Sequence, residues 1–216
     1  DNEQQKYYSS VFRNINIQGQ ALLPQESRAS LYFLDKDLAQ FFKPDFSKQY
    51  VVKSISSNTR IDFVRCLAYL SQYHKDQAAN RVARSYKPKM EKYYEEYIYS
   101  VLSNEDGKYG KFTNNFPDKQ FNESFTKLKK HLKFLDIPKE YPSIIDMDMY
   151  LFGLVYTVLF DKKSIKKENT NELKQKIDAK IKVYKDDFSH IKAPSNLGNL
   201  RSRITSSIQI YDEYAS

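Results

Sequence analysis

Residues 144–160 are apolar on almost every side of a helix, broken only by Asp146, Asp148 and Thr157. A helix of that kind must be enclosed by others rather than lie on a surface, so the segment predicts a central core axis. Ser143 and Asp146 supply a capping box at its start. Its uninterrupted apolar part, 149–160, is shorter than the ~20 residues a membrane-spanning helix requires, and the reading is a buried helix with no membrane partner. Asp146 and Asp148 are two positions apart, so on a helix they point away from each other and cannot act as a carboxylate pair.

The helices that would surround this axis are legible from apolar spacing. Pro24 suits the first turn of a helix over 24–42, with Leu31, Leu34, Leu38 and Phe41 on one side. Residues 45–57 read as a connector. Thr59 and Asp62 form a capping box opening a helix to about residue 79, whose core face is Phe63, Val64, Leu67 and Leu70. Pro88 starts a helix carrying Met90, Tyr94, Tyr97, Ile98 and Val101. Asp118 caps another with Phe121, Phe125, Leu128, Leu132 and Leu135. Asn169 or Thr170 opens a long amphipathic helix with Leu173, Ile177, Ile181, Tyr184 and Phe188, and a last one from about residue 196 carries Leu200, Ile204, Ile208 and Tyr211. The fold class is mainly α, a bundle of about seven helices with a short N-terminal strand-turn. The asparagine- and glycine-bearing stretch 104–117 marks a hinge between lobes. With 18 Tyr and 14 Phe against five Gly, packing through large, half-polar rings is expected rather than a turn-rich β fold.

The net charge of +8 favours anionic partners. The lysines lie mostly on repeating helical faces, and the predicted helix after Asp118 carries a cluster of Lys127, Lys129, Lys130, His131 and Lys133 on the side opposite its apolar stripe. The four lysines are DNA-contact candidates, through phosphates rather than base edges. The alternative is a solvated face, or a non-enzymatic basic scaffold that binds an acidic protein. His74, His131 and His190 lie far apart without carboxylates at metal spacing, and Cys66 sits in an apolar run as a core thiol. No catalytic or metal-ligating residue is assigned, and no cofactor is expected for this chain by itself.

The opening stretch points to a family. Val11, Phe12, Ile15 and Ile17 read as a short strand, Asn16 to Gly19 as a turn, and Leu22, Leu23, Pro24, Gln25, Glu26, Ser27 and Arg28 as a helix start. This order resembles the strand-turn-helix segment of the ParB-like-nuclease family that includes the GmrSD-type modification-dependent restriction proteins. The run from Arg60 through Asp62 and Arg65 to Leu70 is similar to that family's next recognisable helix. The family's acidic, glutamine- and arginine-bearing site signature lies upstream of such a segment, and nothing like it occurs here. The resemblance therefore implies a strand-turn remnant of an upstream lobe over 1–23 and a helical domain over 24–216, from a cytoplasmic bacterial restriction or phage-defence protein whose nucleotide- or DNA-dependent chemistry is performed by the upstream lobe. Arg13, Asn14, Asn16, Gln18, Arg28, Arg60 and Arg65 would line a nucleotide or phosphate site shared with that lobe, their amides and guanidiniums suiting phosphate oxygens. Asn14, Asn16 and Arg28 would face the surface it covers. The structural alternative has the asparagines satisfying turn backbone and the arginines paired with Glu26 or Asp62. The turn departs from the family's in having Ile17 and Gln18 before Gly19, where Thr and Gly are usual.

Overall fold

In the computed structural model, the structure describes residues 28–55 and 57–216. The N-terminal strand-turn, with Arg13, Asn14, Asn16 and Gln18, lies outside them. Nine α-helices occur among the described residues: α1 (Ala39–Phe42), α2 (Phe63–Asp76), α3 (Met90–Ser103), α4 (Phe112–Asn115), α5 (Asn122–Phe134), α6 (Ile144–Val155), α7 (Thr170–Asp186), α8 (Phe188–Lys192) and α9 (Leu197–Asp212). The mainly α class is as the sequence predicts, and α6 is the axis. Every residue from Ile145 to Val155 is buried, and α9, α7, α2 and α5 pack around α6 and its continuation.

The polypeptide over 29–42 is not one helix. It runs as 3-10 turns at Ala29–Phe33 and Lys36–Leu38, then α1. Asp35 causes the break: its backbone is extended and its carboxylate accepts from the Asp37 amide at 3.0 Å, the local bond by which aspartate competes with a helix. Leu31, Leu38 and Phe41 are still fully buried. The connector contains β1 (Val51–Lys53), antiparallel to β2 (Asn58–Arg60) and parallel to β3 (Glu140–Tyr141), with Val51 opposite both Arg60 and Glu140. Thr59 therefore belongs to a strand, and Asp62 alone caps α2, accepting from the Arg65 amide at 3.2 Å. Two further boundaries move. Asp118 sits in a left-handed turn (φ 53°) ahead of α5. Asp187 ends α7 and caps α8, leaving Phe188 exposed rather than on the α7 stripe.

Phe41 is the hub of an aromatic cluster, with ring centroids 4.9 Å from Phe112, 5.3 Å from Phe116 and Phe121, and 5.7 Å from Phe125. The stretch 104–117 is thus fastened to the core by Phe112 and Phe116, and also by Tyr109, whose hydroxyl donates to the Tyr93 carbonyl.

The tightest contact in the bundle is between α6 and α9. A Cβ on Gly153 would run into the backbone carbonyl of Ser207 and the ring of Tyr211, so only glycine fits there. The Ser207 hydroxyl accepts from the Gly153 N–H and donates to the Met149 carbonyl, both at 2.7 Å, occupying the position where an α-helix would join those two groups directly. One turn later the helix widens into a π-turn over Tyr156–Phe160, closed by Asp161 N–H to the Tyr156 carbonyl at 3.0 Å. A side chain inserted into the ladder and a π-bulge are both recognised causes of local helix distortion.

Because the obstruction at Gly153 is backbone as well as ring, Gly153→Ala should destabilise the protein by about 3 kcal/mol, the upper range for overpacking. Urea denaturation compared with the wild type measures this, and a change below about 1 kcal/mol would show that the two helices can separate without loss.

Candidate functional site

The lysine face of α5 forms as its spacing predicts, with one exception. Lys129, Lys130 and Lys133 are exposed, and among the described residues none of them pairs with a carboxylate. Lys129 and Lys133 are one helical turn apart and, with Lys139, rim a groove of about 380 Å³. Phe46, Gln49, Tyr50, Leu132 and Ile137 also line it, as does Asp136, whose carboxylate lies 3.6 Å from Lys174. Lys127 is half-buried and donates to the Lys162 carbonyl at 3.2 Å. His131 is the exception, because it faces inward: its Nδ1 donates to the Lys127 carbonyl at 2.8 Å and its Nε2 accepts from the Ile165 N–H at 3.1 Å. These two bonds fix a neutral tautomer, and burial lowers the imidazole pKa.

Among the described residues, the candidate arginines Arg28, Arg60 and Arg65 are not gathered into one phosphate site. Arg28 is fully buried and makes five hydrogen bonds, to Asp62, Glu91 and Tyr32, while its guanidinium lies 5.0 Å from the Tyr94 ring centroid. Those bonds engage every N–H a guanidinium has. Arg28 thus pairs with Asp62 inside this domain rather than facing an outer surface. Burial works against its charge, but Asp62, Tyr32 and Glu91 together more than offset this and its pKa is raised. Arg65 makes a bidentate pair with Asp148 at 2.7 and 2.9 Å. Arg60 is exposed on β2 and lines a pocket of about 210 Å³ with Lys43, Lys48, Asn58 and Tyr32.

Asp148 is the centre of a buried network that the sequence reading missed. Its Oδ2 accepts from Arg203 Nε at 3.1 Å and Nη2 at 2.9 Å, while both oxygens hold Arg65. Arg203 also reaches the Pro194 carbonyl at 2.8 Å and His190 Nε2 at 2.9 Å. His190 stacks on Tyr184 with centroids 4.2 Å apart. Because arginine can only donate, Nε2 must be the acceptor and the His190 proton resides on Nδ1. Asp146 points elsewhere, to Lys185 at 2.6 Å, consistent with the helical divergence of the two aspartates. The available signal was a carboxylate beyond the capping turn of an otherwise apolar helix, which obliges a buried cationic partner.

A second chain of contacts joins the arginine sites. The Tyr94 ring under Arg28 has its hydroxyl 2.5 Å from that of Tyr69, and the Tyr69 ring lies under Arg65 at 5.2 Å. Cys66 is buried beside them, and burial pushes its thiol pKa up. Among the described residues no group of three or more His, Cys, Asp or Glu side chains could hold a metal ion, and no helix is long and apolar enough to cross a membrane. No family model, no curated protein and no solved structure matches the chain.

All three histidines have lowered pKa values with burial as the leading cause, joined at His190 by the Arg203 cation. In the unfolded chain each imidazole gains a proton near pH ~6.5, whereas the folded state resists protonation until lower pH. The unfolded state therefore binds more protons in that interval, and stability should fall as the pH drops below about 6.5. Denaturation midpoints at about pH 7.5 and 5.5 measure the effect, and His190→Gln, whose amide oxygen can still accept from Arg203, should make the fall shallower. Equal midpoints in the wild type would contradict it.

Proposed function

We propose that this chain is the helical part of a ParB-like-nuclease or GmrSD-type restriction or phage-defence protein of the cytoplasm, acting as a non-catalytic platform that contacts DNA while an upstream lobe performs the nucleotide- or DNA-dependent step. The observation that carries the DNA contact is the set of exposed, carboxylate-free cations at Lys129, Lys130 and Lys133, continued by Lys139. On α7, by contrast, four lysines are neutralised locally: Lys174 by Asp136, Lys176 by Glu213, Lys182 by Asp186 and Lys185 by Asp146. Lysines on one helix offer point charges to phosphates and carry no geometry for reading base edges, so binding on this face should be strong in salt dependence and weak in sequence preference.

A second reading is favoured by the apolar floor of the same groove. Phe46, Tyr50, Leu132 and Ile137 between basic rims suit an amphipathic acidic helix of a protein partner.

The double variant Lys129→Glu/Lys130→Glu separates the two. If DNA phosphates are the ligand, affinity measured by fluorescence anisotropy should drop about equally for unrelated duplexes, and the slope of log affinity against log salt should shrink by about two. An unchanged affinity and slope would refer the face to the acidic partner. On the same reading the purified chain cleaves no DNA and hydrolyses no nucleoside triphosphate, and metal-dependent turnover that co-purifies with it and is abolished by His190→Ala would overturn the platform role.

A further inference from the structure

A groove of about 500 Å³ opens where the 79–84 loop meets α7 and α9, away from the α5 face in sequence and built from different elements. Its lining includes Asn80, Lys180, Arg201, Ser202, Thr205 and Ser206, two cations and four neutral hydrogen-bonding side chains without a carboxylate. The cations are positioned rather than loose. Arg201 donates through Nε and Nη2 to the Val82 carbonyl at 3.0 and 2.7 Å, which fixes its plane and leaves Nη1 free of any partner among the described residues. Lys180 Nζ sits 5.1 Å from the centroid of the Tyr184 ring. That ring is anchored in turn by its hydroxyl, which lies 2.7 Å from Ser206 Oγ and donates to the Ser202 carbonyl at 2.9 Å.

The loop brings in a third cation at a conformational cost. Ala83 and Ser85, neither a glycine, have φ of 52° and 71°, in the left-handed region that L-residues seldom enter. Arg84 lies between them. The strained loop is held by Gln72, whose Oε1 accepts from the Ala83 N–H at 3.0 Å and from the Tyr93 hydroxyl at 2.8 Å, and by the Arg201 clamp on Val82. Arg201 has a lowered pKa, through burial first and the Arg84 charge second, and no carboxylate is among the groups that act on it. Arg84 and Arg201 repel one another with no acid between them, Lys180 shares the groove with Arg201, and an anion seated there offsets the repulsion.

We propose that this groove binds a phosphoryl group, with Arg201 and Lys180 as its charged contacts, Thr205 and Asn80 as hydrogen-bond donors, and Arg84 adding positive potential from the adjoining loop. Two sources carry that chemistry, a free phosphate ester or a phosphate of a nucleic-acid backbone, and the test has an arm for each. Arg84→Gln and Lys180→Gln are suitable variants, since neither parent side chain has an ion pair or hydrogen bond among the described residues, and circular dichroism checks that each folds. The first arm measures the melting temperature of the whole chain in inorganic phosphate against chloride at matched ionic strength. The second measures affinity for a short duplex.

For a free ligand, phosphate raises the melting temperature of the wild type, and each variant weakens apparent phosphate affinity by about tenfold or more, as expected for loss of a charged contact. For a backbone phosphate, inorganic phosphate has little effect but duplex affinity falls in both variants. Either result supports the site and names its source. Lys129→Glu/Lys130→Glu should leave the phosphate-dependent rise intact, so failure of the α5 reading and failure of this one are separable. If Arg84→Gln and Lys180→Gln alter neither measurement, the proposal is wrong.

Discussion

The bundle depends on the close approach of α6 and α9. Arg203, Ser207 and Tyr211 recur every four residues on α9 and meet, in order, Asp148, the Met149–Gly153 backbone gap and the Tyr150 carbonyl on α6. All seven residues are buried, so this is a narrow polar stripe inside an apolar interface. Apolar rings tolerate several packings of two helices at little difference in energy, but sliding α9 by one turn would separate all three polar pairs at once. Parting the fully buried Arg203 guanidinium from its carboxylate costs about 3–5 kcal/mol. The stripe therefore selects a register, and the absence of a Cβ at Gly153 is what lets the backbones come close enough for it to form.

What was legible in the sequence divides along physical lines. The α6 axis, the Ser143 cap and the stripes of α2, α3, α5 and α9 follow from local periodicity, and the structure has them. The three-residue strands β1 and β2 and the two-residue β3 carry no such signal, because β1 pairs with a strand nearly ninety positions away and its stability comes from where α6 and its neighbours bring the chain. The helix expected over 24–42 is interrupted by one aspartate side chain, a competition that apolar spacing cannot register. His131 and Arg203 are more instructive. Each falls three residues after a buried leucine, Leu128 and Leu200, and so lies on the apolar stripe by spacing. Grouping His131 with the lysines put residue chemistry ahead of position, whereas the spacing alone shows its direction. Arg28 and Arg65 were singled out as ligands for phosphate, and both are engaged by carboxylates that are distant in sequence, Glu91 and Asp148.

The same accounting explains where the net charge of +8 is felt. Four of the five lysines on α7, all but Lys180, are answered by Asp136, Asp146, Asp186 and Glu213, and the buried arginines by Asp62, Glu91 and Asp148. The α5 face and the neighbourhood of Arg84 and Arg201 are among the surfaces where cations keep no carboxylate partner. Composition gives the excess, but only pairing decides which surfaces an anion meets.

The π-turn over Tyr156–Phe160 can be understood in terms of chain length. A π-turn accommodates one more residue than an α-turn spanning the same groups, so it behaves as a single insertion absorbed without breaking the helix. The surplus residue sets the phase of everything that follows: Tyr156 reaches His74 and Phe160 reaches Phe116, and the strand-like segment beyond them joins Ile165 to His131 and Ser164 to the final Ser216. Removing one residue there would restore regular winding and rotate the downstream chain by about 100°. The closing segment of the protein would then lose its partners although no residue in that segment had changed, so in this part of the chain the count of residues constrains the fold as strongly as their identity.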